Sequence, residues 1–520
     1  QIGRAAEYAE QRRRPNTQIA QIFSELLNTR WATAALWFGM ALGMALCYRG
    51  GQLPLIGAGL LLLGGLALAR PDVALLFVPL TAPLFLVSAA LPGVVATELR
   101  LPPHELALLA SAAALLARAA IRLGRAPERR ALAARLSRVR AWLPAWIAAY
   151  APELLFLMAG VLGLLLGAPE PEARRDALRA FRWFVVEPLL FITLVRLVAR
   201  RSMRLTGGSP YRMRLAVALI VGGTVVAGVG LLQYITYDLV AEPAALAARS
   251  SVAAGAWRAT SVYGNPNNLG LYLGRVWPLA AALALVRRGE RARHRAALAF
   301  GVCALLCLGG ILVSLSRGAW VGAGAALIVL ALPYVQRWLR SRWLAGILVA
   351  SAALVLVGAL IFALRGGPAG GSATVRLLFW RESLALVERH PLGLGLDQFF
   401  YYHHPAYGRS LIDPSLANTL ERDARQPHNV VFELWLNLGP LGVLAFAWLL
   451  ARGLWRARAH TGVSEQALAH GAFAALVAGL AHGTVDAFYF WPDLAITFWL
   501  LLVLAVETPE LARRAETPAR

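Results

Sequence analysis

The amino-acid sequence predicts an all-α fold, a polytopic transmembrane helix bundle of about 12–14 helices with a long external loop before the third-last helix. Its composition is the first reason. Of the 520 residues, 58% are hydrophobic and only 15% are charged, and the mean hydropathy is +0.59, which excludes an ordinary soluble domain. The second reason is that apolar runs of about 17–25 residues, long enough to cross a bilayer core, recur along the chain. These runs are continuous rather than alternating, which argues against transmembrane strands.

The predicted helices follow from these runs in chain order. Their cores lie near residues 31–48, 53–69, 73–91, 104–121, 145–167, 183–199, 213–235, 266–286, 296–314, 318–335, 343–364, 429–451, 468–488 and 492–506. The two runs within 53–91 are so closely spaced that a re-entrant loop is the alternative there. The resulting organisation is a cytoplasmic N-terminal segment (1–30), transmembrane helices with short loops (31–364), an external cap (365–428), C-terminal transmembrane helices (429–506) and a cytoplasmic tail (507–520).

Charge sets the predicted orientation. The formal net charge is +23, and all 51 basic residues are arginine. Arginines concentrate in the loops 118–140 and 287–295 and before the first apolar run, which is the positive-inside pattern of a membrane protein with a cytoplasmic N-terminus. A nucleic-acid-binding protein would instead collect its basic residues on one folded face. The three cysteines all fall in apolar runs, so no disulfide framework is predicted.

The cap, residues 365–428, interrupts the series of helices for roughly sixty residues, a length that is usually functional in a compact protein. It begins with the flexible stretch "RGGPAGGSA" and continues as "TVRLLFWRESLALVERH" (374–390), whose pattern predicts an amphipathic helix. We expect the cap to be folded and to lie on the external membrane surface.

One histidine stands out at the end of the cap. In "QPHNVVFELWLNLGPLGVLAF", Pro427 fixes the approach, Asn429 can cap the following helix, and His428 lies at the start of an apolar run. From the residues alone, a polar side chain that is hydrated at a helix end explains His428 better than a catalytic role does.

Among the arginines on the predicted external side, four are candidates for a binding site: Arg258, Arg317, Arg376 and Arg381. Arg317 lies between two apolar runs, where a guanidinium is costly without an anionic partner. That partner is either a structural one, Asp486 or a lipid headgroup, or the phosphate of a substrate, which several converging guanidiniums suit. Nearby, "GNPNN" contributes the amide donors of Asn265 and Asn267.

Four motifs together resemble the O-antigen ligase and polymerase superfamily of bacterial membrane glycosyltransferases. They are, in chain order, "RATSVYGNPNNLGLYL", "SLSRGAW", "RLLFWRESLALVERHPLGLGLDQF" and "PHNVVFELWLNLGPLGVLAF". The resemblance covers about residues 250–500 in motifs, and only in hydropathy elsewhere. Members of this superfamily transfer a glycan from an undecaprenyl-pyrophosphate carrier to an acceptor hydroxyl at the periplasmic face of the inner membrane. The acceptor is a lipid-anchored or a carrier-linked sugar.

The resemblance implies roles for individual residues. It carries over His428 as the general base and Arg317 and Arg376 as ligands of the pyrophosphate, with Arg258 and Arg381 as weaker matches and Asn265, Asn267 and Asn429 weaker still. The acidic residue of the penultimate helix corresponds to Asp486, which would orient His428 or position Arg317; both roles stay open. Arginines balance the leaving group's charge and a neutral imidazole takes the proton, so no metal or cofactor is expected.

Two other readings compete. A polytopic transporter or flippase would also have many helices, but charges within the apolar cores are few. A metal-dependent enzyme could use the cap's polar residues, although their spacing matches no metal signature and solvated loop residues explain them better. They are His403, His404, Asp397, Asp413, Glu421 and Asp423. Within the glycosyltransferase reading, a polysaccharide polymerase remains the alternative to a ligase.

Overall fold

The fold is all-α in the computed structural model, as predicted. The structure describes residues 30–49, 52–87, 89–90, 100–124, 139–206, 210–240, 252–253, 256–285, 291–339, 343, 372–457 and 463–506. Within these residues, strands occur only as two antiparallel ribbons with two residues in each strand. They pair β1 (Ala89–Ala90) with β2 (Arg100–Leu101) and β3 (Val252–Ala253) with β4 (Ala256–Trp257).

The described helices account for nearly every predicted apolar core. They are α1 (Arg30–Arg49), α2 (Leu53–Ala69), α3 (Pro71–Ala74), α4 (Phe77–Thr81), α5 (Pro103–Leu123), α6 (Val139–Leu165), α7 (Pro171–Phe181), α8 (Glu187–Thr206), α9 (Pro210–Val240), α10 (Pro266–Ala284), α11 (Arg291–Val313), α12 (Arg317–Leu339), α13 (Ser372–Arg389), α14 (Phe399–His403), α15 (Val430–Ala457), α16 (Val463–Gly483) and α17 (Pro492–Val506). A π-helical turn, Arg182–Val186, joins α7 to α8. The predicted helix 343–364 lies outside the described residues, apart from Trp343.

By length and composition, five of the described helices can each cross a membrane. They are Pro103–Leu123, Tyr211–Thr236, His294–Val313, Arg317–Gln336 and Val430–Gly453. A sixth span results if the bent pair Leu53–Ala69 and Pro71–Leu84 is counted as one, and shorter apolar helices occur at Ala34–Tyr48, Tyr150–Leu165 and Pro492–Val506. The bent pair turns through 116°, so the predicted core 73–91 is not a straight helix but the second arm of a broken span or a re-entrant loop.

The chain divides into two compact units. The first comprises residues 1–77 and 88–128, and its helices α1 and α2 pack closely at small residues. A Cβ placed on Gly59 would lie 2.7 Å from Cys47 Sγ and from the carbonyl oxygen of Gly43, so the approach requires glycine. Arg118 on α5 donates to the carbonyl oxygens of Leu68 and Ala69, which satisfies the C-terminal end of α2.

The second unit comprises residues 78–87 and 129–520 and contains the candidate site. Its central element is α17, in which every residue from Pro492 to Val506 is buried. A helix with apolar side chains on all sides can bury them only when other helices enclose it. Helix α10 is similarly enclosed, with only a few of its residues partly exposed.

The described part of the cap is folded. Helix α13 buries a stripe formed by Val375, Phe379, Glu382, Ser383 and Leu386, so the predicted amphipathic helix is confirmed. The stretch "PLGLGLDQ" then leaves α13 and hydrogen-bonds to the backbone of α6 and α15. Leu394 N donates to Leu436 O at 2.7 Å, and Leu396 N donates to Gly163 O at 2.9 Å.

Glycine is required where this stretch meets α15. Gly439, with φ 65°, breaks α15 into two arms, and a Cβ there would lie 2.4 Å from Leu392 O. The break therefore allows the cap backbone to contact the backbone of α15, the helix that follows His428.

Candidate active site

His428 lies two residues before α15, where the cap joins the helix, as predicted. Asn429 caps the helix, since its Oδ1 accepts hydrogen bonds from Val431 N at 2.9 Å and from Phe432 N at 3.3 Å. The imidazole stacks on Phe379 of α13, with ring centroids 5.8 Å apart, and 27% of the side chain is exposed. The ring is thus held on one face and open to a ligand on another.

The backbone of His428 has φ 51°, in the left-handed region. Ser261, Leu315 and Asp397 are the other described non-glycine residues with positive φ, and each of the four falls in a different one of the four sequence motifs. Such conformations cost free energy, persist where the surroundings impose them, and cluster at functional sites. Trp380 Nε1 donates to His428 O at 3.3 Å, which helps to fix this backbone.

Asp486 is the partner of His428. The structure corrects one detail of the prediction, because α16 ends at Gly483 and Asp486 lies in the following segment, 484–491, rather than within the helix. His428 Nδ1 is 3.1 Å from Asp486 Oδ1, and Asn429 Nδ2 donates to Thr484 O at 3.0 Å. This contact is the one that orientation of the histidine would need.

The electrostatics keep Asp486 ionised. Burial by itself raises the pKa of this carboxyl, but the hydrogen bond from His428 and the interactions with His428, His482 and Arg376 outweigh it, so the net pKa is lowered. An ionised carboxylate on Nδ1 requires the ring proton there, which leaves Nε2 as the nitrogen that can accept a proton.

Three of the predicted arginines are brought together with this pair. Arg376, on α13, forms an ion pair with Asp486 Oδ2 at 3.6 Å. Arg317 is the first residue of α12. Burial lowers the pKa of Arg258, the positive charges of Arg376 and Arg317 lower it further, and Asp486 opposes them. The guanidiniums of Arg258, Arg317 and Arg376 therefore lie near one another and near the carboxylate of Asp486.

Arg258 joins two of the motifs. Its Nε donates to Ser314 O at 2.9 Å and its Nη2 donates to Asn267 Oδ1 at 2.8 Å. Asn265 caps α10, because its Oδ1 accepts from Asn267 N at 2.8 Å. The two asparagines thus position Arg258 and the start of α10 through their side-chain oxygens.

Arg381 is not brought to this cluster. It lies about 140° around α13 from Arg376 and is exposed. Its charge acts instead on Asp413, whose pKa is lowered first by hydrogen bonds from Ser415 and then by Arg381.

The cap residues considered for a metal have other partners. His403 contacts Glu382 Oε2 through Nδ1 and the Glu421 carbonyl through Nε2, both at 2.8 Å, and His404 lies 3.5 Å from Asp423. Asp397 lies beside Arg179 and Arg425. In the described residues, no group of three His, Cys, Asp or Glu side chains is placed to hold a metal ion.

Sequence reasoning missed three buried residues below the site. Phe488 N donates to Glu433 Oε2 at 3.1 Å, and Arg275 donates to Phe488 O, so both hold the segment that carries Asp486. His482 faces Asp486 with Nε2 4.0 Å from Oδ2. Charged residues within apolar runs and the four-residue spacing of His482 and Asp486 were the available signals.

Comparison with known families supports the resemblance seen in the motifs. Residues 302–447 match the family model described as O-antigen ligase. The matched range includes Arg317, Arg376 and His428, whereas Arg258 and Asp486 fall outside it. No curated protein sequence matches the chain. The resemblance predicted from the motifs is therefore confirmed for residues 302–447, which are similar to the O-antigen ligase family.

Proposed function

We propose that the protein is a metal-independent glycosyltransferase that transfers a glycan from an undecaprenyl-pyrophosphate carrier to a hydroxyl of a lipid-anchored sugar. It would act as an O-antigen ligase at the periplasmic face of a bacterial inner membrane. The observation that carries this proposal is the convergence of His428, Asp486 and three arginines, drawn from distant parts of the chain. The family match and the spanning helices support the same setting.

His428 acts as the general base in this proposal. Its Nδ1–H donates to Asp486, so the lone pair on Nε2 removes the proton from the acceptor hydroxyl. The carboxylate also stabilises the imidazolium that forms. The exposed face of the ring gives the acceptor access, and the stack on Phe379 limits rotation.

The arginines bind the leaving group. As the acceptor oxygen forms its bond to the anomeric carbon, the bond from that carbon to the pyrophosphate oxygen breaks and the electron pair leaves with the pyrophosphate. Attack from the opposite face inverts the anomeric centre. Arg258, Arg317 and Arg376 together leave an excess of positive charge over Asp486, which suits a pyrophosphate diester. The N-termini of α10 and α12, adjacent to these arginines, add favourable dipoles.

The test is transfer by purified protein in liposomes that contain an undecaprenyl-pyrophosphate-linked glycan and a lipid-anchored sugar acceptor. His428→Ala should bind the donor and lower kcat by about 10²- to 10⁴-fold, the contribution of a general base. His390→Ala, another histidine of the cap, is the matched control and should retain wild-type kcat.

Near wild-type transfer by His428→Ala would overturn the catalytic assignment. The product distinguishes the two enzyme classes. A single product on the lipid-anchored acceptor supports a ligase, and a ladder of carrier-linked repeats in the absence of that acceptor supports a polymerase instead.

A further inference from the structure

His482 is a buried imidazole in the last turn of α16, with 2% of the residue exposed. Its Nε2 lies 4.0 Å from Asp486 Oδ2, and neither atom has a hydrogen-bond partner among the described residues. Arg376 approaches the same oxygen at 3.6 Å, which is an ion pair rather than a hydrogen bond. One carboxylate thus serves His428 through Oδ1 and faces a second imidazole and a guanidinium through Oδ2.

The ring of His482 is fixed by the neighbouring helix α12. A Cβ on Gly318 would lie 2.5 Å from Cδ2 and 2.8 Å from Nε2 of His482. A Cβ on Gly322 would lie 2.6 Å from Ala478 O, so the two helices pack at small residues four positions apart. The imidazole is therefore confined between Asp486 and the first turn of α12, which begins with Arg317.

We propose that His482 is a positioning residue for the transfer reaction: its Nε2–H holds Oδ2 of Asp486 and so keeps Oδ1 on the Nδ1 of His428. The proposal rests on the proposed function. A pyrophosphate that binds the arginines competes for Arg376 and draws it away from Oδ2. Unless another group donates to Oδ2, that buried oxygen then loses the charge of Arg376, and among the described residues the carboxylate is held through Oδ1, which His428 Nδ1 and Ala487 N contact.

The separation of 4.0 Å is consistent with this role. Catalytic hydrogen bonds are often long without substrate and shorten in the reacting complex. When Arg376 turns to the pyrophosphate, His482 still faces Oδ2 with Nε2 4.0 Å away, and a small movement of the 484–491 segment closes the contact.

The test compares two substitutions of nearly equal shape, His482→Gln and His482→Met, in the liposome transfer assay. Glutamine keeps an N–H near the position of Nε2, whereas methionine removes it. His482→Met should lower kcat by about 10-fold to 100-fold with little change in donor KM, and His482→Gln should recover most of the loss. His482→Leu is a second variant without a donor, and His470→Met on the same helix, about 18 Å away along its axis, is the control.

Equal kcat values for the Gln and Met variants would overturn the proposal, since packing would then be the role of His482. Loss of folded protein in both variants would overturn it for the same reason. This failure is distinct from failure of the proposed function. If His428→Ala is inactive but His482→Met keeps wild-type kcat, only the positioning role is wrong; if the wild-type protein transfers no glycan, the proposed function itself is wrong.

Discussion

Asp486→Asn is the most direct perturbation of the candidate site. The side chain is buried, keeps its volume on substitution, and can still accept the hydrogen bond from Ala487 N. What changes is the charge next to His428 and Arg376. Because His428 Nδ1 and Ala487 N both contact Oδ1, the amide oxygen of the variant takes that position and still accepts from His428, but the imidazolium that forms in transfer is no longer stabilised by a carboxylate.

The magnitude follows from the contact that is lost. A hydrogen bond to a charged group contributes about 1.5–3 kcal/mol, which corresponds to roughly 10- to 150-fold in rate. We therefore expect kcat to fall by about 10- to 150-fold. Donor KM should stay constant or fall, because Arg376 and Arg258 lose a carboxylate that competes with the pyrophosphate.

The assay measures kcat and donor KM for the purified variant in liposomes, with folding checked by thermal melting. Asp413→Asn is the matched control, since this exposed carboxylate in the cap bonds only to Ser415 among the described residues. A variant at position 486 that keeps near wild-type kcat, or that raises donor KM without lowering kcat, would refute the assignment of Asp486 as the partner that orients His428.

Three further predictions follow from other parts of the structure. Arg376→Lys should raise donor KM and restore only part of the activity lost in Arg376→Ala, because an ammonium lacks the bidentate fork of a guanidinium. The control, Arg389→Lys on the same helix, should behave as wild type in the same assay. Burial raises the pKa of Asp397 to about 6 from an ordinary 3.8, so the folded state binds the proton more tightly than the unfolded state does. The free energy of unfolding should therefore fall by up to about 3 kcal/mol as the pH rises from about 4 to about 6. Melting curves of Asp397→Asn should lack that decrease, and an unchanged pH dependence would contradict the assignment. With the three native cysteines replaced, a cysteine at Ala406 should be labelled by an impermeant reagent from the external side and one at Arg122 should not; the reverse pattern would invert the predicted topology.

The sequence by itself determined the class of fold and most of its helices. A backbone in a bilayer core must satisfy its hydrogen bonds locally, so a continuous apolar run of sufficient length is a helix whatever surrounds it. Local chemistry was equally informative at the start of α15, where Asn429 caps the helix. The buried stripe of α13 could also be read from its periodicity, because side chains three and four residues apart share a face.

Only the tertiary structure decided which side chains meet. The contact of Asp486 with His428 depends on contacts between segments far apart in the chain, such as Asn429 with Thr484 and Phe488 with Glu433. Periodicity tells which face of a helix is apolar, but the interlocking of side chains and small residues decides which helix covers that face. For that reason the sequence supplied the arginines and the histidine as separate candidates, whereas His482, confined against Gly318, became visible only when α12 and α16 were packed together.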